Sequence, residues 1–154
     1  PFVSLFSGNA LNVAVLSDQA SGDKRKIEDM KRSGVLEAGH FYTMADFMER
    51  AEADIEDIFE LEVFANILNE SYSLQEPLKL SAEKLKTADA STDRLVKKTE
   101  AVFRLMPDSV EMFDHFSPAA WLIRNAKVLD GKSAAVNRTL DRAEEIFQTF
   151  NKLL

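Results

Sequence analysis

The chain has 154 residues, of which 45% are hydrophobic and 29% charged, the size and composition of one globular domain rather than of a disordered or fibrous protein. It contains no Cys, which excludes a disulfide framework, a thiolate zinc site and cysteine nucleophile chemistry. Its net charge of −7 excludes the overall basic surface of an autonomous nucleic-acid-binding protein.

The beginning of the sequence carries no recognisable export signal. The first residue is Pro rather than Met, so we expect the chain to be a fragment of a longer protein. No apolar run reaches the roughly 18 residues that a membrane helix needs, and no basic segment precedes an apolar one at the start. We therefore expect a cytoplasmic protein that has no membrane partner.

The first predicted elements form a β–α–β unit. Residues 12–17 are largely apolar and rich in β-branched side chains, which predicts a strand buried on both faces of a parallel sheet. Asp23 is the expected N-cap of a helix that ends at Gly34, and residues 41–44 are the second strand candidate. We expect the inward face of the helix to comprise Ile27, Met30 and Val35.

Helices are predicted through the rest of the chain. Apolar residues at three- and four-residue spacing begin at Leu61 and end before Pro77. A second helical stretch covers residues 79–106, and residues 87–92 are a possible interruption that leaves one or two helices. Ser117 and Pro118 are the expected start of the next helix.

The last helix has the clearest pattern. Its apolar residues alternate steps of four and three and should form one buried seam, either within the chain or at a subunit interface. The seam comprises Val136, Leu140, Ala143, Phe147, Phe150 and Leu154.

Acidic residues are concentrated in the first half of the chain. Residues 1–75 hold 14 acids and 6 bases, and residues 76–154 hold 12 acids and 13 bases. Eight acids lie within residues 46–62, against one base. Such a run is either a solvated helix face or part of a divalent-cation site.

Asp18 is the first candidate ligand for a cation. It follows the first predicted strand, the position at which open α/β sheets place ligand groups, although an Asp there is also a common turn or cap residue. The densest acidic segment supplies Asp54, Glu56 and Asp57. An extended backbone would point Asp54 and Glu56 the same way, and a helical backbone would do so for Asp54 and Asp57, so either presents a pair of carboxylates.

Other candidate residues are basic or aromatic. Lys24 and Arg25 begin a basic patch that is either a solvated helix surface or a contact to a phosphate backbone. His40 and His115 are the only histidines, and neither has a partner at metal-ligand or triad spacing, so we expect no histidine-based zinc site or Ser-His-Asp triad.

Several segments resemble one protein family. The strand that ends at Asp18, the basic helix of residues 24–36, and the segment Ala53-Asp54-Ile55-Glu56-Asp57-Ile58-Phe59 resemble the TOPRIM-like nuclease part of OLD-family (overcoming lysogenization defect) ATP-dependent endonucleases. Residues 64–72 resemble the same nuclease part, and residues 114–120 and 147–154 look like the C-terminal helical region of these proteins, so the resemblance covers most of the chain. Residues 54–59 are its most specific part.

The resemblance implies a hydrolase that cuts DNA with Mg²⁺ or Mn²⁺ in phage defence or DNA repair. Asp18 and Glu56 are the implied catalytic residues, and Asp54 and Asp57 join them as metal ligands. Ala20 stands where the family has a second Asp, and no Glu precedes Leu16 as the upstream metal ligand, so we expect the isolated chain to cut poorly. ATP would act only through an upstream ATPase domain outside this chain.

These observations predict a helix-rich α/β protein. Residues 1–60 should form a truncated TOPRIM-like unit, with a partial parallel sheet and a crossover helix, and residues 61–154 an α-helical subdomain. The expected partners are DNA, the upstream ATPase and other copies in a homo-oligomer, with Lys24 and Arg25 on the DNA backbone. The alternative is a non-catalytic helical interaction or dimerisation module of an ATPase-linked protein with a degenerate TOPRIM site.

Overall fold

A computed structural model describes residues 13–33 and 40–153 of the chain. Two compact units divide them. The first unit takes the residues up to Ile55 together with those from Arg142 onward, and the second is Glu56–Asp141. The described elements are helix-rich, with seven α-helices and two short strands, in agreement with the predicted fold class.

The first unit contains the predicted parallel strand pair. Strand β1 (Val15–Ser17) pairs with β2 (Phe41–Thr43) in register Val15 to Phe41. Helix α1 (Lys24–Arg32) lies between them in the chain, so the parallel β–α–β order is confirmed. The expected burial of β1 on both faces is wrong, because its three residues are half-buried.

Helix α1 differs from its predicted capping and packing. Asp23 is at the N-cap but makes no capping bond, because a 3₁₀ turn over Ser21–Asp23 already gives it a helical backbone, and its carboxylate pairs with Lys26 at 3.2 Å instead. Ile27 is half-buried as expected, whereas Met30 is 43% exposed. Gly34 and Val35 lie outside the described residues.

The acidic run does not form one solvated helix. Helix α2 (Met44–Met48) is its first part, and a capping box holds the start of that helix: Asp46 accepts from the Thr43 backbone at 2.8 Å, and Thr43 Oγ1 accepts from the Asp46 backbone at 3.3 Å. Glu49 ends α2 with a left-handed φ of 51°. A 3₁₀ turn over Ile55–Ile58 follows, so the run is divided among several short elements.

The second unit is helical. The predicted helix from Leu61 is α3 (Leu61–Ser71), and the predicted stretch over residues 79–106 is two helices, α4 (Ala82–Thr87) and α5 (Leu95–Phe103). Helix α6 (Phe116–Arg124) starts one residue before Ser117. The main hydrophobic cluster contains Phe64, Ala65, Leu68, Leu74, Leu80, Leu85, Leu95 and Phe103.

Helix α7 (Ala134–Asn151) buries a different stripe from the predicted seam. Val136 is buried, but Leu140 is 40% and Phe147 68% exposed, so burial of the seam within the chain is wrong at these two positions; Leu154 lies outside the described residues. Burial at a subunit interface stays a prediction. The buried residues of the helix are Ala135, Val136, Thr139 and Ile146.

Thr139 explains the orientation of the first half of α7. Its hydroxyl oxygen accepts the backbone N–H of Glu60 at 3.0 Å, and Arg138 pairs with the Glu60 carboxylate at 3.1 Å. Glu60 is the N-cap residue of α3 and makes no capping bond with its own side chain. A buried threonine therefore satisfies a helix-end donor that would otherwise lack a partner.

Among the residues described, none of the helices is both long enough and apolar enough to cross a membrane.

Candidate functional site

Asp18 lies directly after β1, at the carboxyl end of the parallel pair. Its Oδ1 atom accepts the backbone N–H of Ile55 at 2.8 Å. The next residue, Gln19, forms an antiparallel bridge with Ala53 through bonds of 2.9 and 3.0 Å, and its side chain donates to the Ala51 carbonyl at 2.9 Å. Four hydrogen bonds thus hold residues 51–55 against the end of β1.

Asp54 lies within this segment, between the bridged Ala53 and the bonded Ile55. It is 3% exposed. The structure therefore brings Asp18 to the segment that contains Asp54, although 36 residues separate them in the chain. Carboxylate oxygens are the ligands that Mg²⁺ prefers, and this ion keeps several waters when it binds one or two carboxylates.

The number of acidic ligands is small. No group of three or more His, Cys, Asp or Glu side chains that could hold a metal ion occurs within residues 13–33 and 40–153. Asp18 and Asp54 are two carboxylates, the number that a protein commonly gives to Mg²⁺, and they do not form an all-protein cage.

Glu56 and Asp57 belong to the second unit, where each has its own partner. Glu56 Oε1 is 2.8 Å from His115 Nδ1, and the Glu56 side chain is 16% exposed. Asp57 is 4% exposed, and its Oδ1 accepts the backbone N–H of Leu95, the first residue of α5, at 2.9 Å. Asp57 therefore caps a helix that begins 38 residues later.

His115 is a residue of this region that sequence reasoning missed. Its ring contacts Phe113, with centroids 5.4 Å apart, and its side chain is 58% exposed. Fifty-nine residues separate it from Glu56, so no local spacing could have indicated the pair. The pairing gives the Glu56 carboxylate a fixed neighbour.

Lys24 and Arg25 are the first two residues of α1, and both are exposed. They follow Asp18 by six and seven positions and belong to the same compact unit. Their exposure leaves them accessible to an anionic ligand.

A polar network holds the start of α6. Asp114 Oδ1 accepts the backbone N–H groups of Phe116 and Ser117 at 2.7 and 2.8 Å, and its Oδ2 accepts the Ser117 hydroxyl at 2.7 Å. Tyr72 Oη accepts the Asp114 backbone N–H at 2.8 Å. The bond from the Ser117 hydroxyl, together with those from the backbone, lowers the pKa of Asp114 below 3.8, and burial raises the pKa of Tyr72.

This network predicts a pH-dependent contribution to stability. Because the folded pKa of Asp114 is lowered, its contribution is complete above the unfolded value of 3.8 and is lost as the pH falls through the folded value. We expect Asp114→Asn to cost about 1 kcal/mol of unfolding free energy at pH 7 and less at pH 3. Urea unfolding at the two pH values measures this difference. The same change at exposed Asp108 is the control, and an equal cost of Asp114→Asn at both pH values would contradict the prediction.

Comparison of the chain with models of known families, with curated proteins and with solved structures found no match.

Proposed function

We propose that this chain is the nuclease module of an ATP-dependent endonuclease similar to the OLD family, which hydrolyses DNA phosphodiester bonds with a divalent cation. One observation carries the proposal: the carboxylate of Asp18, at the end of a parallel strand, is bonded to the segment that contains Asp54. The parallel β–α–β order around Asp18 supports it, because ligands bind at the carboxyl ends of such strands.

The proposed ligands of the cation are Asp18 and Asp54, and the ion is Mg²⁺ or Mn²⁺. When bound, such an ion polarises a phosphate and lowers the pKa of an attacking water. Asp18 has a second task in this arrangement, because its Oδ1 fixes the backbone at Ile55. The catalytic and metal-binding roles of Glu56 and the metal-binding role of Asp57 stay predictions.

The proposal includes partners outside the chain. Lys24 and Arg25 would contact the phosphate backbone of DNA, since both are exposed on the unit that contains Asp18. An upstream ATPase domain would supply ATP hydrolysis, and the complete protein would act as a homo-oligomer in the cytoplasm.

Manganese titration tests the cation site. We expect millimolar Mn²⁺ to raise the unfolding free energy of the wild-type chain by about 1 kcal/mol, because an ion that binds the folded state stabilises it by RT ln(1 + [L]/Kd). Asp18→Asn should abolish the increase, since it removes the charge and keeps an oxygen that can accept the Ile55 N–H. Thermal unfolding with and without Mn²⁺ provides the measurement.

The matched control is Asp29→Asn, which removes an exposed carboxylate from α1 and should leave the manganese effect unchanged. Circular dichroism should show the same helix content in all three proteins. An equal manganese effect in wild type and Asp18→Asn, or no effect in wild type, would overturn the proposed cation site.

The second candidate is the non-catalytic interaction module. It is favoured by large apolar side chains that the second unit leaves more than four-fifths exposed. They are Leu105, Met112, Phe116 and Ile123. A negative result in the manganese titration would make this candidate the better assignment.

A further inference from the structure

A groove of about 610 Å³ lies in the second unit, beside the end of α6. Its lining comprises Asn66 and Glu70 of α3, Trp121, and residues 123–128. Its volume is within the range of pockets that hold small ligands or single nucleotides. None of the residues predicted from the sequence as catalytic or metal-binding lines it.

Trp121 is the aromatic residue of the groove lining. It is the only Trp in the chain, and it is half-buried because it also packs against the cluster that contains Val63 and Ile67. This packing holds the indole in place, so little side-chain entropy would be lost if a ligand stacked on it. A ligand with a flat aromatic group is suited to stack on this indole.

Two cations also line the groove. Arg124 is exposed, and its Nε donates to the Ala120 carbonyl at 3.0 Å, which aligns the guanidinium along the helix. Lys127 is also exposed, and within the described part of the chain its ammonium group has no hydrogen-bond or ion-pair partner. Both groups can therefore face an anion without giving up an existing ion pair.

The two α3 residues of the lining carry groups that can recognise the edge of a base. The Glu70 carboxylate can accept hydrogen bonds from exocyclic amino groups, and the Asn66 amide can both donate and accept. With two cations and one carboxylate, the groove has a local charge of +1 in a chain of net charge −7. An aromatic residue, two cations and polar groups for a base edge in one groove together match a nucleotide unit.

We infer that this groove binds single-stranded DNA, with an unpaired base stacked on Trp121 and the adjacent phosphates at Arg124 and Lys127. Duplex DNA does not present a free base face, whereas single strands bind proteins through aromatic stacking and cationic backbone contacts. The inference rests on the proposed function, which supplies DNA as the substrate, and it adds a strand-holding site separate from the proposed cation ligands.

Intrinsic fluorescence offers a direct test, because Trp121 is the only indole. We expect an oligothymidylate, titrated into the full chain with EDTA present, to quench this fluorescence. An abasic strand of equal length should bind roughly tenfold or more weakly and produce little quenching, since stacking contributes about 1–3 kcal/mol per base. Equal quenching by the abasic strand, or equally strong binding of duplex DNA, would overturn the inference.

Charge variants test the phosphate contacts. The double variant Arg124→Gln, Lys127→Gln should make the negative slope of log K against log salt shallower by roughly 1.4. About 0.7 counterions are released per neutralised phosphate of a single strand, and the variant removes two such contacts. The control pair Lys79→Gln and Lys132→Gln removes the same charge from exposed positions outside the groove and should preserve the slope. Equal slopes in the two double variants would contradict the site.

Two variants separate strand binding in the groove from cation binding at Asp18. Trp121→Phe retains an aromatic ring for packing and should bind labelled oligothymidylate more weakly in an anisotropy assay, with unchanged manganese stabilisation. Asp18→Asn should bind the strand as wild type does. Loss of strand binding in Asp18→Asn alone would overturn the assignment to this groove.

Discussion

Ile146→Asp should lower the free energy of unfolding by about 4 kcal/mol, whereas Phe147→Asp should cost less than about 1 kcal/mol. Ile146 is 9% exposed and Phe147 is 68% exposed, although the two are neighbours in α7. The first substitution places a charge at a buried position and removes apolar contacts, while the second replaces a side chain that is mostly in water. Chemical denaturation of both variants measures the difference.

Phe147→Asp also tests whether the seam of α7 is buried between subunits. If a second copy of the chain covers the seam, a charge at this position should disrupt the interface. Light scattering over a concentration series should show the same oligomeric state as wild type if Phe147 faces solvent. A cost as large as that of Ile146→Asp, with an unchanged oligomeric state, would show that Phe147 is buried within the chain. A smaller assembly would show that a partner subunit covers Phe147.

Asp57→Ala should destabilise the chain by about 3 kcal/mol. The substitution removes the oxygen that accepts the Leu95 N–H, so it leaves a buried backbone donor without a partner and removes the cap of α5. Asp57→Asn should cost less, because its amide oxygen can still accept that bond. Urea denaturation monitored by circular dichroism gives both values.

Asp93→Ala is the matched control, since this acid is exposed and lies two residues from the capped end of α5. It should change the unfolding free energy by less than about 0.5 kcal/mol. If Asp57→Ala were as mild as the control, the buried carboxylate would have no structural role.

Local chemistry was sufficient to predict much of the fold. The apolar run before Asp18 and the spacing from Leu61 each correspond to an observed element, because short-range sterics and periodicity determine such elements. The buried face of α7 could not be predicted in this way. An apolarity pattern selects Leu140 and passes over Thr139, whose burial depends on a backbone N–H of Glu60, 79 residues away.

The candidate site was also predictable only where its features depend on local sequence. Asp18 was recognisable from its position after a strand, and the structure adds that its carboxylate binds the segment containing Asp54. The partners of Glu56 and Asp57 were not recognisable, because His115 and Leu95 are distant in the chain and follow no motif. The capping role of Asp46 is local, and the Thr-x-x-Asp spacing at Thr43 resembles a capping box.

The division into units has a consequence for synthesis of the chain. All residues of the second unit, Glu56–Asp141, have been made before the first unit receives its remaining residues from Arg142 onward. During translation the second unit can thus complete its own contacts while the first unit still lacks its last segment. The first unit is completed only when the last turns of α7 have been synthesised, because the Tyr42 ring contacts Phe150 in these turns.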